Sequence, residues 1–492
     1  MYEIIIGVIV IGCFLHAGGI GVGKIKCALC LLLFIQIQSA FSFDEEWDKS
    51  QITGFGDTLK QGTFASGQTL FSNGVLMLIN KICGFHWGSP TLEYIKGNFT
   101  TPWEWESTDG FTVNQLGHPY QGSTYFNAGR VNGFGFYGST FFNALGSFTW
   151  EALCESQLAS ANDFITTVTG SMALGEMLYR LHLEAYAAGA PLPLTFLISP
   201  TGGIHILIKK GKATDPGKNL YQLQSYWGGG YTKTTYSLKD DQQDLFSYNG
   251  TFGDIGLKLI YGDPFEQDTI IPYRHFELSA AFGMKFGHYQ DYRVISDGYL
   301  FSFSPICNDT NAMSTGLTMH FDFVSLGKSD IYISTIDMYS HALDWTIKYQ
   351  HLFSEATAME LKWHTGFTFW GVSNYYSPDG VFSPYDNRIV TDLKNYGYGV
   401  NSKLFFNLEN KKLGKLETSL FFYSLWPYPK TSDLSTGTVF WVFTDITYSH
   451  LITKRFSMGI SGSSAIEWGT FSEYPDTKKR NDRIKFFTAW NL

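Results

Sequence analysis

Apolar and polar residues alternate along the C-terminal part of this chain, from about Gly203 to Leu492. Within residues 343–349, for example, Leu343, Trp345, Ile347 and Tyr349 alternate with Asp344, Thr346 and Lys348. A side-chain period of two is the signature of a β-strand with one apolar and one polar face. We therefore predict a series of strands, each with one face toward an apolar environment.

The alternation recurs in segments near residues 204–208, 276–286, 317–323, 359–369, 396–408, 418–422, 440–448 and 484–492. Many short alternating segments with aromatic residues near their ends are typical of transmembrane barrels. We predict a mainly β fold over residues 201–492, a transmembrane antiparallel β-barrel of about 12 strands. Longer polar stretches, such as residues 375–387, are expected to be extracellular loops.

Residues 43–200 have a different pattern and predict a mostly helical N-terminal unit. An apolar stripe lies within residues 64–83, and residues 131–150 carry no charged side chain, so most of that segment is expected to be a buried helix. Ser160-Ala161-Asn162-Asp163 is a good N-cap cluster before a helix at 164–186, and the Gly- and Pro-rich residues 187–200 are expected to be a linker. This unit is expected to be a plug in the barrel or a periplasmic unit.

The first 42 residues are expected to be a leader. Lys24 and Lys26, the apolar run at 27–37, and small residues Ala40 and Ser42 have the order of a secretory signal that is cut after Ser42. An additional apolar run precedes this signal. Residues 1–22 are either an upstream extension from a misplaced start or an additional anchor.

Composition supports a barrel and excludes other classes. Aromatic residues are 17% and charged residues 16% of the chain, and the formal net charge is −9. The mean hydropathy of −0.07 excludes a polytopic helical membrane protein. No basic stripe is present, so we expect no nucleic-acid partner. The expected partner is the lipid bilayer of the bacterial outer membrane.

Candidate chemistry is concentrated in the helical unit, in or beside its most apolar segments. The residues are His118, Tyr120, Arg130, Glu151, Glu155, Asp163 and Glu176. Glu151 and Glu155 are four apart and are expected to share a helix face. Because an unpaired buried charge is costly, these carboxylates need partners, and Arg130, Arg180 and His118 are available.

Three interpretations of this cluster remain open at this point: a structural polar network, a site for a polar or lipidic ligand, and an acid–base or metal site. No HExxH or GxSxG motif accompanies the residues. We therefore assign no catalytic residue, no metal site and no cofactor. In the barrel, a mixed-charge set is expected to form a solvated or salt-bridged lumen rather than a dedicated site: His320, Asp322, Asp344, Lys348, Glu360, Lys362 and His364.

The helical unit also resembles a known family. The residues that carry the resemblance are His118-Pro119-Tyr120, Tyr125, Arg130-Val131-Asn132-Gly133, Trp150-Glu151, Glu155, Ser160-Ala161-Asn162-Asp163, Thr169-Gly170 and Gly175-Glu176. Over about residues 115–185 the chain is similar to an uncharacterised bacterial outer-membrane family that is known only as a domain of unknown function. The resemblance implies no activity.

These observations predict an outer-membrane barrel protein that is not an enzyme and that acts in transport or envelope maintenance, with a lipid or envelope component as a possible partner. The alternative is an outer-membrane enzyme that acts on lipid or envelope glycan through the Glu/His/Asp cluster of the N-terminal unit.

Overall fold

The chain forms two compact units, residues 1–218 and 219–492. The computed structural model describes residues 55–85, 88–105, 110–208, 219–238, 244–265, 268–285, 289–328, 336–382, 389–428 and 437–491. The expected leader, its cleavage after Ser42 and the nature of residues 1–22 lie outside these described residues.

The first unit is helical, as predicted. Its described helices are α1 (Phe55–Cys83), α2 (Leu92–Thr100), α3 (His118–Val131), α4 (Phe136–Leu153), α5 (Ala161–Ala187), α6 (Leu192–Ile198) and α7 (Pro200–Ile208), and a π-helical turn, Val113–Gly117, leads into α3. Ser160 is the N-cap of α5, and its hydroxyl accepts a hydrogen bond from the backbone of Asp163. Helix α3 is central and packs against α1, α4, α5 and α7.

The segment at 131–150 is mostly helical, as expected, but it does not begin as one helix. Helix α3 ends at Val131, and Gly133 has a φ of +88°, a left-handed conformation that glycine adopts at little cost. The chain turns there and re-enters a helix at Phe136. One side of α4 is buried, but Tyr137 and Phe141 on the other side are exposed.

Two predictions between residues 187 and 208 are wrong. The expected linker contains helix α6, whose Leu194, Phe196 and Ile198 are buried, and the expected strand at 204–208 is part of helix α7. Three alternating isoleucines are too short a pattern to distinguish a strand from a buried helix. Packing of α6 and α7 against each other and against α5 and α3 decides in favour of the helix.

The second unit is a closed antiparallel barrel of 12 strands, which confirms the predicted fold. The strands are β1 (Leu220–Leu238), β2 (Asp244–Tyr261), β3 (Phe276–Lys285), β4 (Tyr289–Cys307), β5 (Asn311–Lys328), β6 (Ile336–Ser354), β7 (Thr357–Phe382), β8 (Ile389–Asn410), β9 (Gly414–Pro427), β10 (Gly437–Leu451), β11 (Phe456–Phe471) and β12 (Thr477–Asn491). Each strand pairs with its sequence neighbours, and β1 closes the barrel on β12.

The alternation separates the two faces of this barrel. Large apolar side chains are exposed on the outer face, where a bilayer would contact them: Trp227, Tyr231, Trp345, Leu361, Trp363, Phe367, Leu404, Leu420, Phe422, Phe440, Ile446, Met458, Trp468, Ile484 and Phe486. Their sequence neighbours point into the lumen. Among the described helices, none is both long and apolar enough to cross a membrane.

One end of the lumen is filled with apolar side chains. A cluster of buried residues there includes Met338, Leu393, Leu425 and Trp441. Strand β6 approaches β11 and β12, on the opposite wall, with Cα atoms within 8 Å, so the barrel is flattened rather than cylindrical.

The prediction of a loop at residues 375–387 is wrong for the first part of that segment. Strand β7 continues to Phe382 and β8 begins at Ile389. Tyr375 is buried in the apolar lumen cluster, with its ring centroid 4.7 Å from that of Phe471. This packing keeps the polar segment extended, although its composition indicates a loop.

Candidate functional site

In the helical unit, Glu176 of α5 binds two arginines. Its side chain is fully buried, with Oε2 lying 2.7 Å from Nε of Arg130 on α3 and Oε1 lying 2.9 Å from Nε of Arg180 one turn later. The Arg130 guanidinium also lies 4.7 Å from the centroid of the Tyr179 ring and donates to the carbonyl of Phe134. The cluster therefore joins α3 to α5 and stabilises the turn after α3.

Glu151 lies near the end of α4 and is fully buried. Its Oε2 accepts a hydrogen bond of 3.0 Å from the backbone N–H of Ser160, the N-cap of α5, and its backbone carbonyl accepts one from Asn98 of α2. Glu151 thus holds the connection between α4 and α5.

Glu155 does not share a helix face with Glu151, contrary to the spacing argument, because α4 ends at Leu153 and Cys154 is its C-cap. Glu155 is nevertheless buried. Burial raises the pKa of the Cys154 thiol to about 11, and the negative charge of Glu155 adds to that rise.

His118 and Tyr120 lie in the first turn of α3, and each contacts a different helix. A ring nitrogen of His118, Nδ1, lies 3.3 Å from the hydroxyl of Thr167 on α5. The hydroxyl of Tyr120 donates to the carbonyl of Leu197 on α6 at 2.8 Å. Both residues hold α3 against its neighbours.

Asp163, in the first turn of α5, is buried, and its Oδ1 accepts a hydrogen bond of 2.9 Å from the side chain of Asn162. A carboxylate at this position also interacts favourably with the positive end of the helix dipole. These contacts favour the structural network among the three interpretations of the cluster. That assignment stays a prediction.

The barrel lumen contains a second group of charges. Glu277 of β3 contacts two lysines from other walls of the barrel, with Nζ of Lys348 on β6 at 2.8 Å and Nζ of Lys362 on β7 at 2.7 Å. Lys362 also lies 2.9 Å from Asp297 of β4, and Lys348 lies 3.2 Å from Glu360. The contacts of Glu277 with both lysines, and that of Lys362 with Asp297, join strands that are not neighbours in the sheet, whereas Lys348 and Glu360 lie on the paired strands β6 and β7.

Lys403 of β8 continues this network. Its Nζ lies 2.7 Å from Oδ2 of Asp322 on β5 and 2.5 Å from Nδ1 of His320 on the same strand. The hydroxyl of Tyr423 on β9 donates to the same Asp322 oxygen at 2.9 Å. All four side chains are buried.

Two histidines lie at the centre of the network. The rings of His320 on β5 and His364 on β7 pack edge to face, with centroids 4.7 Å apart. Thr318 bonds His320 Nε2 at 2.8 Å, Thr346 bonds His364 Nδ1 at 2.6 Å, and the two threonine hydroxyls are 2.6 Å apart. The register that pairs Thr346 with His364 and Asp297 with His320 produces this arrangement.

Further ion pairs lie in the same lumen. They are Lys479 with Glu467 at 2.7 Å, Arg483 with Asp291 at 2.8 Å, and Lys485 with Asp254 at 2.6 Å. The indole of Trp441 also donates to Glu467.

The lumen set predicted from the alternation is therefore salt-bridged, as expected. The prediction missed Glu277, Asp297 and Lys403. A signal exists for Glu277, which occupies a polar position of the alternating segment 276–286, but Asp297 lies between Ile295 and Tyr299 on its face of β4, in a segment that does not alternate. Pairing of these residues depends on which strands meet across the lumen, and alternation does not contain that information.

Comparisons with known proteins give a family match for part of the helical unit and similar solved structures for the barrel. No curated protein matches the sequence of this chain. Among solved structures, the outer membrane protease OmpT from Escherichia coli shares 8% identity over 56% of this chain and 99% of its own, with a TM-score of 0.22. The toluene transporter TodX of Pseudomonas putida shares 6% identity over 56% of this chain and 89% of its own, with a TM-score of 0.23.

A further similar structure is the NanC porin, which shares 9% identity over 55% of this chain and 100% of its own, with a TM-score of 0.24. For the helical unit, the comparison with family models confirms the resemblance to a family known only as a domain of unknown function: residues 102–193 match the model of the domain of unknown function DUF3943.

Proposed function

We propose that this protein is a non-enzymatic transport barrel of the bacterial outer membrane, and that ion pairs across its lumen hold it closed until they exchange partners. The observation that carries the proposal is that Glu277 on β3 binds Lys348 and Lys362 on β6 and β7. These contacts cross the interior, where a solute would pass.

The chemistry of these contacts favours a gate over a static anchor. Removing charges from water costs several kcal/mol per ion, so buried ion pairs contribute little stability compared with apolar side chains of similar volume. A barrel that served only as an anchor would be as stable with an uncharged lumen. Ion pairs can instead exchange one partner for another, which is what reversible opening requires.

The proposed location rests on the outer face of the barrel. A closed barrel satisfies every backbone group between its own strands, which allows it to span a bilayer. The exposed apolar side chains on the outer face, such as Trp363 and Phe422, match the lipid-facing surface of outer-membrane barrels.

The enzymatic alternative has less support. It requires carboxylates that reach a substrate, whereas Glu151 and Glu176 of the helical unit are fully buried.

Conductance of the purified full chain in planar bilayers tests the proposal. The wild type should open rarely, and Glu277→Gln should raise the open probability at least about tenfold, because two buried lysines lose a carboxylate partner, which removes about 1.4 kcal/mol or more from the closed state. Asp482→Asn is the control, since Asp482 pairs with Arg480 at 2.6 Å on the outer face, where both are part-exposed. A correctly folded Glu277→Gln variant that conducts no more than Asp482→Asn would refute the gate.

A further inference from the structure

We propose that Asp297, His320 and His364 form a binding site for a divalent transition-metal ion inside the barrel. The three residues come from β4, β5 and β7, and each offers a ligand atom that lies within 4.8 Å of the others. All three side chains are buried. Two imidazoles and one carboxylate are a recurrent metal-binding set.

Unsatisfied polar atoms at this cluster provide a second, independent observation. In the described part of the chain, Nε2 of His364 has no hydrogen-bond partner, although the side chain is fully buried and Nε2 lies 3.6 Å from Oδ2 of Asp297. Oδ2 of the buried Asp344 is also without a donor and lies 3.4 Å from Nε2 of His320. Buried polar atoms are usually satisfied, and a cation bound at this cluster would supply a partner for both of these atoms.

The balance of charge points to a dication. The connected network contains five carboxylates against three lysine ammonium groups, which leaves two negative charges in excess when every carboxylate is ionised and the histidines are neutral. The five carboxylates are Glu277, Asp297, Asp322, Asp344 and Glu360, and the lysines are Lys348, Lys362 and Lys403. A bound M²⁺ ion would balance this excess without further protons.

Two of these lysines contact the metal ligands and must give way. Lys403 bonds Nδ1 of His320 but is also 2.7 Å from Asp322, and Lys362 bonds Asp297 but is also 2.7 Å from Glu277. Each ammonium group therefore keeps a carboxylate partner when the ion replaces it. Lys403 and the ion compete for the same histidine.

The donor set decides which ions fit. Imidazole nitrogen suits Zn²⁺, Fe²⁺, Co²⁺ and Ni²⁺, whereas Mg²⁺ and Ca²⁺ prefer sites made only of oxygen ligands. The ion would cross-link β4, β5 and β7 within the lumen. This proposal does not depend on the transport function, because a metal cross-link is possible in a barrel that never opens.

Metal binding by the full chain tests the site. Protein refolded in detergent after chelation should bind one Co²⁺ per chain, with visible absorption from nitrogen ligation, and Zn²⁺ should displace the Co²⁺. Asp297→Asn, His320→Gln and His364→Gln should each weaken binding by more than about 100-fold, beyond the range seen for outer-shell partners. His341→Gln is a matched control, because His341 is equally buried but packs against Phe369 with ring centroids 4.8 Å apart.

A difference in migration between unboiled and boiled protein on a detergent gel is typical of a folded barrel. A variant that keeps this difference still folds. If folded wild-type protein binds no Co²⁺ or Zn²⁺, or binds them as well after His364→Gln as after His341→Gln, the metal site is refuted. Lys403→Met should raise the affinity for Co²⁺ severalfold, since it removes the competing ammonium group. Unchanged affinity in that variant would overturn the assignment of His320 as a ligand.

Discussion

At the scale of single residues, one buried carboxylate of the helical unit, Glu176, pairs with two arginines. Glu176 has no solvent contact, whereas its two arginine partners have side chains that are 17% and 16% exposed. The two arginines can therefore be partly hydrated when they lose Glu176, but Glu176 cannot be hydrated when it loses an arginine. This asymmetry predicts different costs for the two sides of the ion pair.

We expect Arg130→Ala to lower the free energy of unfolding of the helical unit by about 1.5–3 kcal/mol, the range for hydrogen bonds to charged groups. Glu176→Gln should cost less, because the amide keeps the shape and removes the buried charge. The measurement is thermal unfolding of the full chain, monitored by helical circular dichroism at 222 nm. Lys81→Ala, at an exposed position in the last turn of α1, is the control. Equal midpoints for Arg130→Ala and Lys81→Ala would contradict a structural role.

At the scale of elements, small residues set the distance between helices. A Cβ atom at Gly122 on α3 would lie 2.7 Å from the backbone oxygen of Thr167 and 2.7 Å from the hydroxyl of Ser171, both on α5. A Cβ atom at Gly175 on α5 would likewise lie 2.9 Å from the ring of Phe126. Helices α3 and α5 therefore approach too closely for any larger side chain at these two positions.

Gly122→Ala should consequently destabilise the helical unit by about 1–3 kcal/mol, the usual cost of overpacking. Gly67→Ala in α1 is the matched change, because nothing lies within 4 Å of a Cβ at that position. It should stabilise the helix by about 0.5–1 kcal/mol, since alanine loses less backbone entropy. Chemical denaturation measures the free energy of unfolding of both variants. A similar loss of that free energy at both sites would show that the close approach of α3 and α5 at Gly122 does not determine the cost.

At the scale of the whole molecule, the barrel has no free sheet edge among its 12 strands, because β1 pairs with β12 over Gln224–Leu238 and Thr477–Asn491. Ion pairs inside the lumen add contacts between strands that are not neighbours. Such a closed sheet can unfold only by breaking many backbone hydrogen bonds together.

We therefore expect unboiled protein to migrate differently from boiled protein on a detergent gel, and to fractionate with outer membranes. The mobility difference should persist in Asp482→Asn, whose ion pair lies on the outer face. A single band at the same position before and after boiling, or recovery in the soluble fraction, would contradict a membrane barrel.

Individual elements differ in how well the sequence predicted them. Alternation such as that around Trp345 was sufficient to predict the barrel and the lumen face of β6, because a period of two is a local property of the strand. The N-cap at Ser160 was also predictable, since it depends on residues within one turn. By contrast, the helix Pro200–Ile208 and the extended end of β7 were missed, because their conformations depend on packing against distant segments.

The same distinction applies to the candidate sites. The sequence by itself determined which face of the clearly alternating strands, such as β6, is polar, and that Glu176 lies one turn before Arg180 on one helix. Only the tertiary structure decided that Arg130 pairs with Glu176 and not with Glu151, that Lys403 reaches Asp322 across the sheet, and that Asp297 meets two histidines. The physical reason is that side-chain periodicity is a short-range property of the backbone, whereas these pairs depend on strand register, barrel closure and helix packing between residues far apart in sequence.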